Sequence, residues 1–415
     1  MLHAIHPEAH GPLGKPMAAA VQACVHCGFC LAACPTYKEL GQEMDSPRGR
    51  IVLMKQVLEG TLPVADALPH VDACLGCLAC EPVCPSGVQY RDLISPFRAI
   101  TEKDRQRPLL ERLRRWMISS TLPYPARFRV AAWLGKAGKA FAPLMPRSMR
   151  PMLDLLPANL PPAQPLQPLY PAIGQRRGRV ALLAGCAQQV LEPDINAATI
   201  AVLCRNGIEV LVPPEQGCCG ALAWHIGDLG SARKFARQNL RAFPADVDAI
   251  VTNAAGCGSG LHEYHLMLAG EPEAERAESF RHRVKDVSAF LASIGLVAEF
   301  PAGGKSRVAY QDACHLANAQ GVRDAPRELL RAVPGLELLE LADPHLCCGS
   351  AGTYNIDQPD IAARLGAAKA QAVLDSGAEL VATGNIGCMT QLRAHLAGRV
   401  AVRHTMQILR DAYGK

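Results

Sequence analysis

Residues 24–35 read CVHCGFCLAACP, and residues 74–85 read CLGCLACEPVCP. Both stretches follow the pattern Cys-x-x-Cys-x-x-Cys-x-x-x-Cys-Pro, and each cysteine of the second lies 50 residues after its counterpart in the first. Three thiolates at this spacing can bind three irons of one [4Fe–4S] cluster, while the fourth, which precedes proline, reaches a second cluster. The repeated pattern therefore predicts two [4Fe–4S] clusters.

The same pattern predicts that the ligands are crossed, because the fourth cysteine of each stretch serves the other cluster. A structural zinc module is the alternative. Zinc needs only two Cys-x-x-Cys pairs, however, and would leave the last two cysteines of each stretch without a function. We expect two ligand sets, one of Cys24, Cys27, Cys30 and Cys84, and one of Cys34, Cys74, Cys77 and Cys80.

Length and composition indicate a soluble globular protein of two to four domains, since 49% of the 415 residues are hydrophobic and 20% are charged. An odd number of cysteines, 17, many of them in metal-type spacing, indicates a reducing compartment. We expect no secretory signal, because residues 1–16 lack an apolar stretch. We also expect no transmembrane segment, because the apolar runs are far shorter than about 20 residues.

Positive charge is concentrated between Arg105 and Arg150, where eleven Lys and Arg accompany one acid, Glu111. The rest of the chain has 32 basic and 37 acidic residues. We expect a peripheral helix on anionic lipid, although packing on the protein itself or on a partner subunit is the alternative. Nucleic acid is not expected as a partner, because no binding motif accompanies the charge. The residues that suggest the lipid-binding helix are Arg112, Arg114 and Arg115 beside Leu109, Leu110, Leu113 and Trp116.

Two further local patterns divide the chain. Ser46 and Pro47 predict a helix that starts there and ends near Gly60, covering the clusters with aliphatic side chains. Nine prolines between Pro143 and Pro171 predict an extended linker without regular helix or strand, and hence a domain boundary.

The C-terminal half is an internal duplication with a period of about 130 residues. Each copy has three apolar, strand-like runs separated by helical stretches, which predicts a β-α-β-α-β unit with a parallel sheet. The cysteines follow the strands, where open α/β sheets place their sites. The repeated cysteines are Cys186, Cys218, Cys219 and Cys257 in the first copy and Cys314, Cys347, Cys348 and Cys388 in the second.

Four thiols per copy are enough for one metal centre, and an iron–sulfur cluster is favoured over zinc because the N-terminal clusters need an electron donor or acceptor. The alternative is that these cysteines are small buried hydrophobic residues, which is our expectation for Cys204, since it has no counterpart in the second copy. A ligand role for His315 or His345 has only weak support, because neither has a counterpart in the first copy.

The fold class expected is a multi-domain α+β protein, in which a mainly helical N-terminal domain precedes two duplicated α/β cysteine-rich domains. The expected boundaries are residues 1–104 for the two-cluster ferredoxin-type domain, 105–176 for the basic segment and linker, 177–300 for the first Cys-Cys-Gly unit and 301–415 for the second.

Four stretches resemble the iron–sulfur subunits of glycolate oxidase: Cys24–Cys30, Pro47–Gly60, His345–Tyr354 and Asn385–Cys388. More broadly, the chain resembles heterodisulfide reductase subunits, lactate-utilisation proteins and the C subunit of anaerobic glycerol-3-phosphate dehydrogenase. One departure is that the heterodisulfide reductase units end in Cys-x-x-Cys, whereas Gly260 and Gln391 stand in place of the last cysteine here. Disulfide reduction is therefore a weaker expectation.

The resemblance implies an electron-transfer subunit of a glycolate dehydrogenase at the cytoplasmic face of the inner membrane. FAD-containing partner subunits would oxidise glycolate to glyoxylate, and quinone or the respiratory chain would accept the electrons. The absence of a G-x-G-x-x-G fingerprint agrees with a flavin held elsewhere. Alternatives are a D-lactate or glycerol-3-phosphate dehydrogenase, thiol–disulfide chemistry, and a soluble non-enzymatic ferredoxin.

Overall fold

The structure, a computed structural model, describes residues 3–139, 150–157 and 159–414. Its architecture confirms the expected fold class, with helices first and two parallel-sheet units after them. The two cysteine stretches lie in the N-terminal region, between short helices. These helices are α1 (Gly14–Gln22), α2 (Phe29–Ala33), α3 (Pro35–Leu40), α4 (Pro47–Leu58), α5 (Val64–Asp72) and α6 (Arg91–Thr101), with 3₁₀ turns at Pro7–Leu13, Glu43–Asp45 and Glu102–Asp104.

Helix α4 begins and ends where the sequence predicts. The Ser46 hydroxyl accepts a hydrogen bond from the Gly49 backbone N–H at 2.9 Å, and Pro47 occupies the first turn. An N–H group in the first turn has no partner within the helix, so proline, which lacks this group, removes no hydrogen bond there. The buried face of α4, which includes Ile51 and Met54, packs against the cysteine loops.

Among the described residues, three helices lie between the N-terminal domain and the first sheet: α7 (Leu109–Thr121), α8 (Pro125–Gly138) and α9 (Arg150–Asp154). The prediction that the proline-rich stretch contains no regular structure is wrong in two places, because α9 and the strand β1 (Leu169–Tyr170) lie within it. Pro151 lies in the first turn of α9, where proline is tolerated because its missing N–H would have no helical partner. Strand β1 is at the edge of its sheet, and edge strands also tolerate proline. The part of the basic segment in residues 140–149 lies outside the described residues.

The first unit contains a five-stranded sheet in the order β1-β3-β2-β4-β5, parallel except for β1. Its strands after β1 are β2 (Gly178–Leu182), β3 (Ile208–Leu211), β4 (Ala249–Thr252) and β5 (Val284–Asp286). Its helices are α10 (Gln188–Leu191), α11 (Asp194–Arg205), α12 (Ala221–His225), α13 (Leu229–Ala242), α14 (Ala255–His262), α15 (Tyr264–Met267), α16 (Ala274–Arg281) and α17 (Val287–Ile294).

The second unit repeats the arrangement with a four-stranded parallel sheet in the order β7-β6-β8-β9. The strands are β6 (Ser306–Tyr310), β7 (Leu336–Glu340), β8 (Leu380–Thr383) and β9 (Ala401–His404). The helices are a π-helical turn (His315–Ala319), α18 (Asp324–Arg331), α19 (Tyr354–Asp357), α20 (Pro359–Asp375), α21 (Ile386–Leu396) and α22 (Thr405–Ala412). Each unit therefore has one more parallel strand than the three that the sequence predicts.

The two units are joined by α22 of the second unit and by their matching cysteine loops. Met406 and Leu409 of α22, and Tyr413 directly after it, belong to the hydrophobic core of the first unit. The Ala255 N–H donates to the Gly384 carbonyl at 3.1 Å, so the loop before Cys257 contacts its counterpart in the second unit. This pairing brings both sets of repeated cysteines to the centre of the molecule.

Candidate iron–sulfur and thiol sites

The structure brings Cys24, Cys27, Cys30 and Cys84 to the wall of one pocket, and we refer to these four as the surface set. Cys27 is exposed, and burial raises the pKa of Cys30 to about 11. Among the other residues of this pocket is Arg48, which donates to the His26 carbonyl at 3.1 Å and keeps the loop closed.

A second pocket is lined by Cys34, Cys74, Cys77 and Cys80, which we call the inner set. All four are buried, and burial raises the pKa of the Cys77 and Cys80 thiols well above 9.0. A metal centre offsets such a penalty, because thiolates bound to a cation do not carry an isolated charge. All-sulfur donor sets of four fit [4Fe–4S] clusters in both pockets.

The fourth cysteine of each stretch lies with the opposite stretch. Cys84 is near enough to Cys24 to raise its pKa, and Cys34 similarly affects Cys77 and Cys80. This arrangement agrees with crossed ligands, and we propose that the two clusters are ligated in this way. Cys80 lines both pockets, so the two sets are adjacent.

Arg50 is a buried cation beside the inner set, and sequence reasoning did not identify it. Its guanidinium donates to Thr36 Oγ1 at 2.9 Å and to the His70 carbonyl at 2.6 Å, and it contacts Cys34 Sγ at 3.9 Å. Its partner carboxylate is Asp45, at 3.4 Å. A buried positive charge stabilises negative charge on nearby sulfur atoms.

The eight repeated cysteines are in contact in the same order in both units. In the first unit, Cys186 Sγ lies 3.5 Å from Cys218 Sγ, and Cys219 interacts with both Cys218 and Cys257. The second unit has the corresponding series from Cys314 to Cys388, in which Asn385 Nδ2 donates to Cys388 Sγ at 3.3 Å. A hydrogen bond to the neighbouring thiol, together with burial, raises the pKa of Cys186 and of Cys314 well above 9.0.

Glycine is required after each vicinal cysteine pair. Gly220 and Gly349 have φ of +80° and +83°, and a Cβ at Gly349 would lie 2.6 Å from the Ala362 carbonyl oxygen. Packing also explains one missing cysteine. A Cβ at Gly260 would lie 2.5 Å from the Ala221 Cβ, so this position has no room for a fifth thiol.

All eight repeated cysteines line one cavity of about 520 Å³, together with Cys74 of the inner set. The cavity lies between the N-terminal domain and the two units, and described residues between Arg107 and Phe128, together with Met152, Leu155 and Leu156, form part of its wall. The repeated thiols therefore face a shared space that adjoins the inner set.

The inner set is connected to the second unit in particular. Cys77 belongs to the same buried cluster as Cys347, and the charge of Cys314 raises its pKa further. Asn318 Nδ2 donates to the Cys77 carbonyl at 3.1 Å. These contacts place the second unit directly against the inner set.

His225 and His315 line the cavity with their rings 5.3 Å apart, edge to face. Burial lowers the pKa of His225 well below 6.5 and that of His315 to about 4, so both are neutral at neutral pH.

No sequence pattern indicated that His225 lies at this site. His345 is exposed and does not line the cavity, and Cys204 is buried in the first unit's core away from it.

Within the described ranges, no three His, Cys, Asp or Glu side chains are arranged to hold a single metal ion. The described helices also include none with the length and apolar character needed to cross a bilayer.

Helix α7 has its charged side chains turned inward, contrary to our expectation for Arg114 and Arg115. Arg114 Nη2 lies 2.5 Å from Asp357 Oδ1, and Arg115 Nη2 lies 3.1 Å from Glu102 Oε1. Only Arg112 of the three predicted lipid-binding arginines is exposed. The exposed face of α7 is apolar instead, and we call it the outer face: Leu109, Leu110, Leu113 and Trp116, which are 80%, 44%, 50% and 66% exposed.

Two protein-family models match the chain. A 4Fe-4S dicluster domain matches residues 20–88, which include both cysteine stretches, so the chain has a [4Fe–4S] dicluster domain. The cysteine-rich domain matches twice, at residues 180–262 and 308–393, and thus once in each unit.

The chain is 40% identical over 400 residues to the glycolate oxidase iron-sulfur subunit of Escherichia coli, covering 95% of both chains. It is 39% identical over 420 residues to the probable glycolate oxidase iron-sulfur subunit of Bacillus subtilis, covering 94% of each. Lactate utilization protein A of Oceanobacillus iheyensis is 32% identical over 56% of this chain and 96% of its own. A hypothetical protein from Helicobacter pylori, known from a crystal structure, shares the fold with a TM-score of 0.53 at 11% identity, over 89% of this chain and 68% of its own.

Proposed function

Because the chain belongs to the family of glycolate oxidase iron–sulfur subunits, we propose that it is the electron-transfer subunit of a membrane-associated glycolate dehydrogenase. FAD-containing partner subunits oxidise glycolate to glyoxylate, and the electrons pass through this chain to quinone or another respiratory-chain component. The observation that carries this proposal is the continuous series of cysteine sets from the exposed Cys27 through Cys80 to the central cavity.

The protein's own contribution is to hold the redox groups at the correct distance and to exclude water. The [4Fe–4S] clusters, when bound, supply one-electron transfer. The surface set receives electrons at the exterior, and the inner set conducts them inward. Arg50 near Cys34 and Tyr90, whose hydroxyl contacts Cys74 Sγ at 3.9 Å, set the electrostatic environment of the inner set.

We further propose that the repeated cysteines hold an additional iron–sulfur centre in at least one unit. The matching contact order of the thiols in both units supports this proposal. The N-terminal domain alone accounts for about eight irons per chain. Metal analysis should therefore give about twelve or more irons, whereas eight irons with one equivalent of zinc would overturn the assignment.

The flavoprotein partner docks at the surface set. Val25 and Phe29 are each 67% exposed beside Cys27, and Met44 and Val83 are further exposed apolar side chains of the N-terminal domain. Apolar side chains around an exposed redox ligand suit a protein that must approach closely, because electron transfer requires a short distance and protein interfaces bury apolar cores.

The membrane contact is made by α7 and α8 at the cytoplasmic face of the inner membrane. Besides the outer face of α7, Val130, Trp133 and Leu134 of α8 are exposed, and the two helices contact each other. The exposed charges of these helices are the cations Arg112, Arg127 and Lys136. Exposed tryptophan and aliphatic side chains among cations are typical of a surface that binds anionic lipid.

The test is an anaerobic purification of the tagged protein from its native membranes. Flavin content is measured, and dye reduction is assayed with glycolate, D-lactate and glycerol 3-phosphate. Flavin together with glycolate-dependent dye reduction is the expected result. A preference for another of these substrates would keep the electron-transfer role and replace the partner. Purification without flavin or activity would contradict the proposal and favour thiol chemistry or a simple carrier.

A further inference from the structure

We propose that the central cavity binds a quinone and is the place where the quinone is reduced. This inference rests on the proposed electron-transfer function and assigns a site to the electron acceptor. The cavity volume of about 520 Å³ lies in the range of about 300–1,000 Å³ that is typical of small-molecule sites. An iron–sulfur centre on the repeated cysteines would lie at the thiol wall of this cavity, so we assign the quinone to the part that is lined by Ile118, Phe128 and His225. The series of cysteine sets has one end at the exposed Cys27, suited to a protein partner, and the other end in this cavity, suited to a small molecule.

The lining has the mixed character that a quinone requires. Ile118, Leu122, Phe128 and Leu156 come from the segment that contains α7 and α8, and they offer apolar surface to a ring and its isoprenoid tail. The repeated thiols line the same space. A ring bound there would lie between these apolar side chains and the repeated thiols.

Two buried nitrogen atoms in the lining have no hydrogen-bond partner: His225 Nε2 and His315 Nδ1. The Ser95 hydroxyl lies 3.3 Å from His225 Nδ1, and a hydrogen bond donated by this hydroxyl leaves the ring proton on Nε2. An unpaired N–H in a buried site is costly, and a quinone carbonyl oxygen is an acceptor that would satisfy it. A disulfide offers no oxygen for this role.

Helix α7 connects the cavity with the proposed membrane surface. Arg114 and Ile118 on its inner face line the cavity, as does Leu122 directly after its end, whereas Leu113 and Trp116 on its other face are exposed. One helix thus separates the redox cavity from the apolar outer face. A lipid-soluble acceptor would reach the cavity along this helix without crossing bulk water.

The electrons and protons that quinone reduction requires can all be accounted for. Two electrons arrive singly through the inner set and the second unit, and two protons come from water. The two C=O groups of the quinone become C–OH groups, and the ring becomes aromatic. The reductant is glycolate, which loses two electrons and two protons on the flavin subunit.

The test is photolabelling of the anaerobically purified full-length protein with an azido-ubiquinone analogue, followed by mass spectrometry of the peptides. We expect label on peptides that line the cavity, within residues 118–128, 152–156 or 222–226, and its displacement by excess decylubiquinone. Label only on other peptides, or label that decylubiquinone does not displace, would overturn the quinone site. Displacement by a low-molecular-weight disulfide but not by decylubiquinone would overturn it in favour of thiol chemistry.

Two variants and one control make the test specific. His225→Leu removes the donor and should lower labelling about fivefold to tenfold, the value of one hydrogen bond. Leu156→Trp fills the cavity and should abolish labelling. This variant keeps the test valid even if His225→Leu does not fold. His282→Leu alters a histidine that is 65% exposed on the first unit and should leave labelling unchanged.

Assays of the whole complex separate this inference from the proposed function. Glycolate-dependent dye reduction that persists in Leu156→Trp, while decylubiquinone reduction is lost, supports the quinone site. Equal decylubiquinone reduction by the wild type and both variants would overturn the site but leave the electron-transfer role intact. Absence of glycolate-dependent dye reduction in the wild type would overturn the proposed function, while the photolabelling of the purified chain would still decide the site.

Discussion

Tyr354 of the second unit donates a hydrogen bond from its hydroxyl to the backbone carbonyl of Ala73, 2.9 Å away, immediately before Cys74. This bond joins the Cys-Cys-Gly loop region of the second unit to the inner set. Tyr354 is buried and lines the central cavity as well. The contact therefore fixes the position of the second unit relative to the inner set, through two residues that are 281 positions apart in sequence.

Replacing Tyr354 by Phe should destabilise the protein and disturb the inner set. The variant leaves the buried Ala73 carbonyl without its donor, which costs about 1–3 kcal/mol. We expect a lower unfolding midpoint and an altered electron paramagnetic resonance spectrum of the cluster on the inner set. Tyr413→Phe is the control, because its hydroxyl bonds to Asn206 at 3.1 Å, far along the chain from both cysteine stretches. An unchanged spectrum in Tyr354→Phe would mean that the bond has a structural role only.

Crossed ligation makes opposite predictions for the two fourth cysteines. Cys34→Ser should damage the cluster of the inner set, and Cys84→Ser should damage the cluster of the surface set, because each pocket contains that thiol. The two clusters can be distinguished by Mössbauer and electron paramagnetic resonance spectroscopy after anaerobic purification. Loss of only the surface-set cluster in Cys34→Ser would show that each stretch binds its own cluster instead.

Arg50 should raise the reduction potential of the inner-set cluster. Its side chain is 1% exposed and its guanidinium lies 3.9 Å from Cys34 Sγ, so solvent screens its charge poorly. A charge in such surroundings changes the energy of a neighbouring charge by about 2 kcal/mol, which corresponds to about 90 mV for one electron. We expect Arg50→Met to lower the potential by roughly this amount, since reduction adds negative charge. The variant also leaves the buried Asp45 carboxylate without its arginine partner, which should lower the free energy of unfolding by about 3–5 kcal/mol.

Arg50→Lys separates charge from geometry. Lysine retains the positive charge and should keep the potential near the wild-type value, although it cannot reproduce the bonds to Thr36 and the His70 carbonyl. Redox titration monitored by electron paramagnetic resonance measures both variants. Equal shifts in Arg50→Met and Arg50→Lys would rule out an electrostatic effect.

Glu263 should make the protein less stable as the pH rises from 5 to 7. Burial raises the pKa of this carboxyl to about 7, and the charges of Glu81 and Asp92 raise it further. The hydrogen bond that Trp224 Nε1 donates at 2.5 Å and the charge of Arg91 lower the pKa, but their effect is smaller. Between the usual pKa of 4.5 and 7, the folded state holds a proton that the unfolded state has lost. The free energy of unfolding therefore falls with rising pH, by up to about 1.4 kcal/mol for each pH unit in this window.

Glu263→Gln removes this dependence because glutamine stays neutral and can still accept the Trp224 hydrogen bond. The stability advantage of the variant should grow from pH 5 to 7 and then level off, as measured by guanidinium unfolding. Glu278→Gln is the control. The hydrogen bond from Arg281 lowers the pKa of Glu278 to about 2, so its contribution is already complete above pH 5. A constant difference between Glu263→Gln and wild type would show that this carboxyl is ionised in the folded protein.

The sequence contained most of the information about the thiols and little about their surroundings. Ligand spacing and the 130-residue repeat are local or periodic signals, so the dicluster domain and the two α/β units could be predicted from them. Arg50, His225 and Tyr354 act through contacts between segments that are remote in sequence, and no local pattern marks them. The error about Arg114 and Arg115 has the same origin, because their partners Glu102 and Asp357 are visible only once the helix is packed.

The outer face of α7, rather than its arginines, should bind the membrane. We expect Leu113→Glu combined with Trp116→Glu to lower binding to vesicles of phosphatidylglycerol and phosphatidylcholine at least tenfold, because both side chains are half or more exposed and would lose apolar contact with lipid. Charge reversal of Arg114 and Arg115 is a poor test, since it would break their ion pairs within the protein.

Ile173→Glu combined with Val297→Glu is the matched control, because these apolar side chains are similarly exposed, at 61% and 56%, but lie outside α7 and α8. Arg112→Gln should weaken binding only modestly, by about 1 kcal/mol, and only at low salt. Co-sedimentation at two salt concentrations measures all three. If the α7 double variant binds as tightly as the control, the outer face contacts a partner subunit instead of lipid. Its association with the flavoprotein should then be the property that the substitutions weaken.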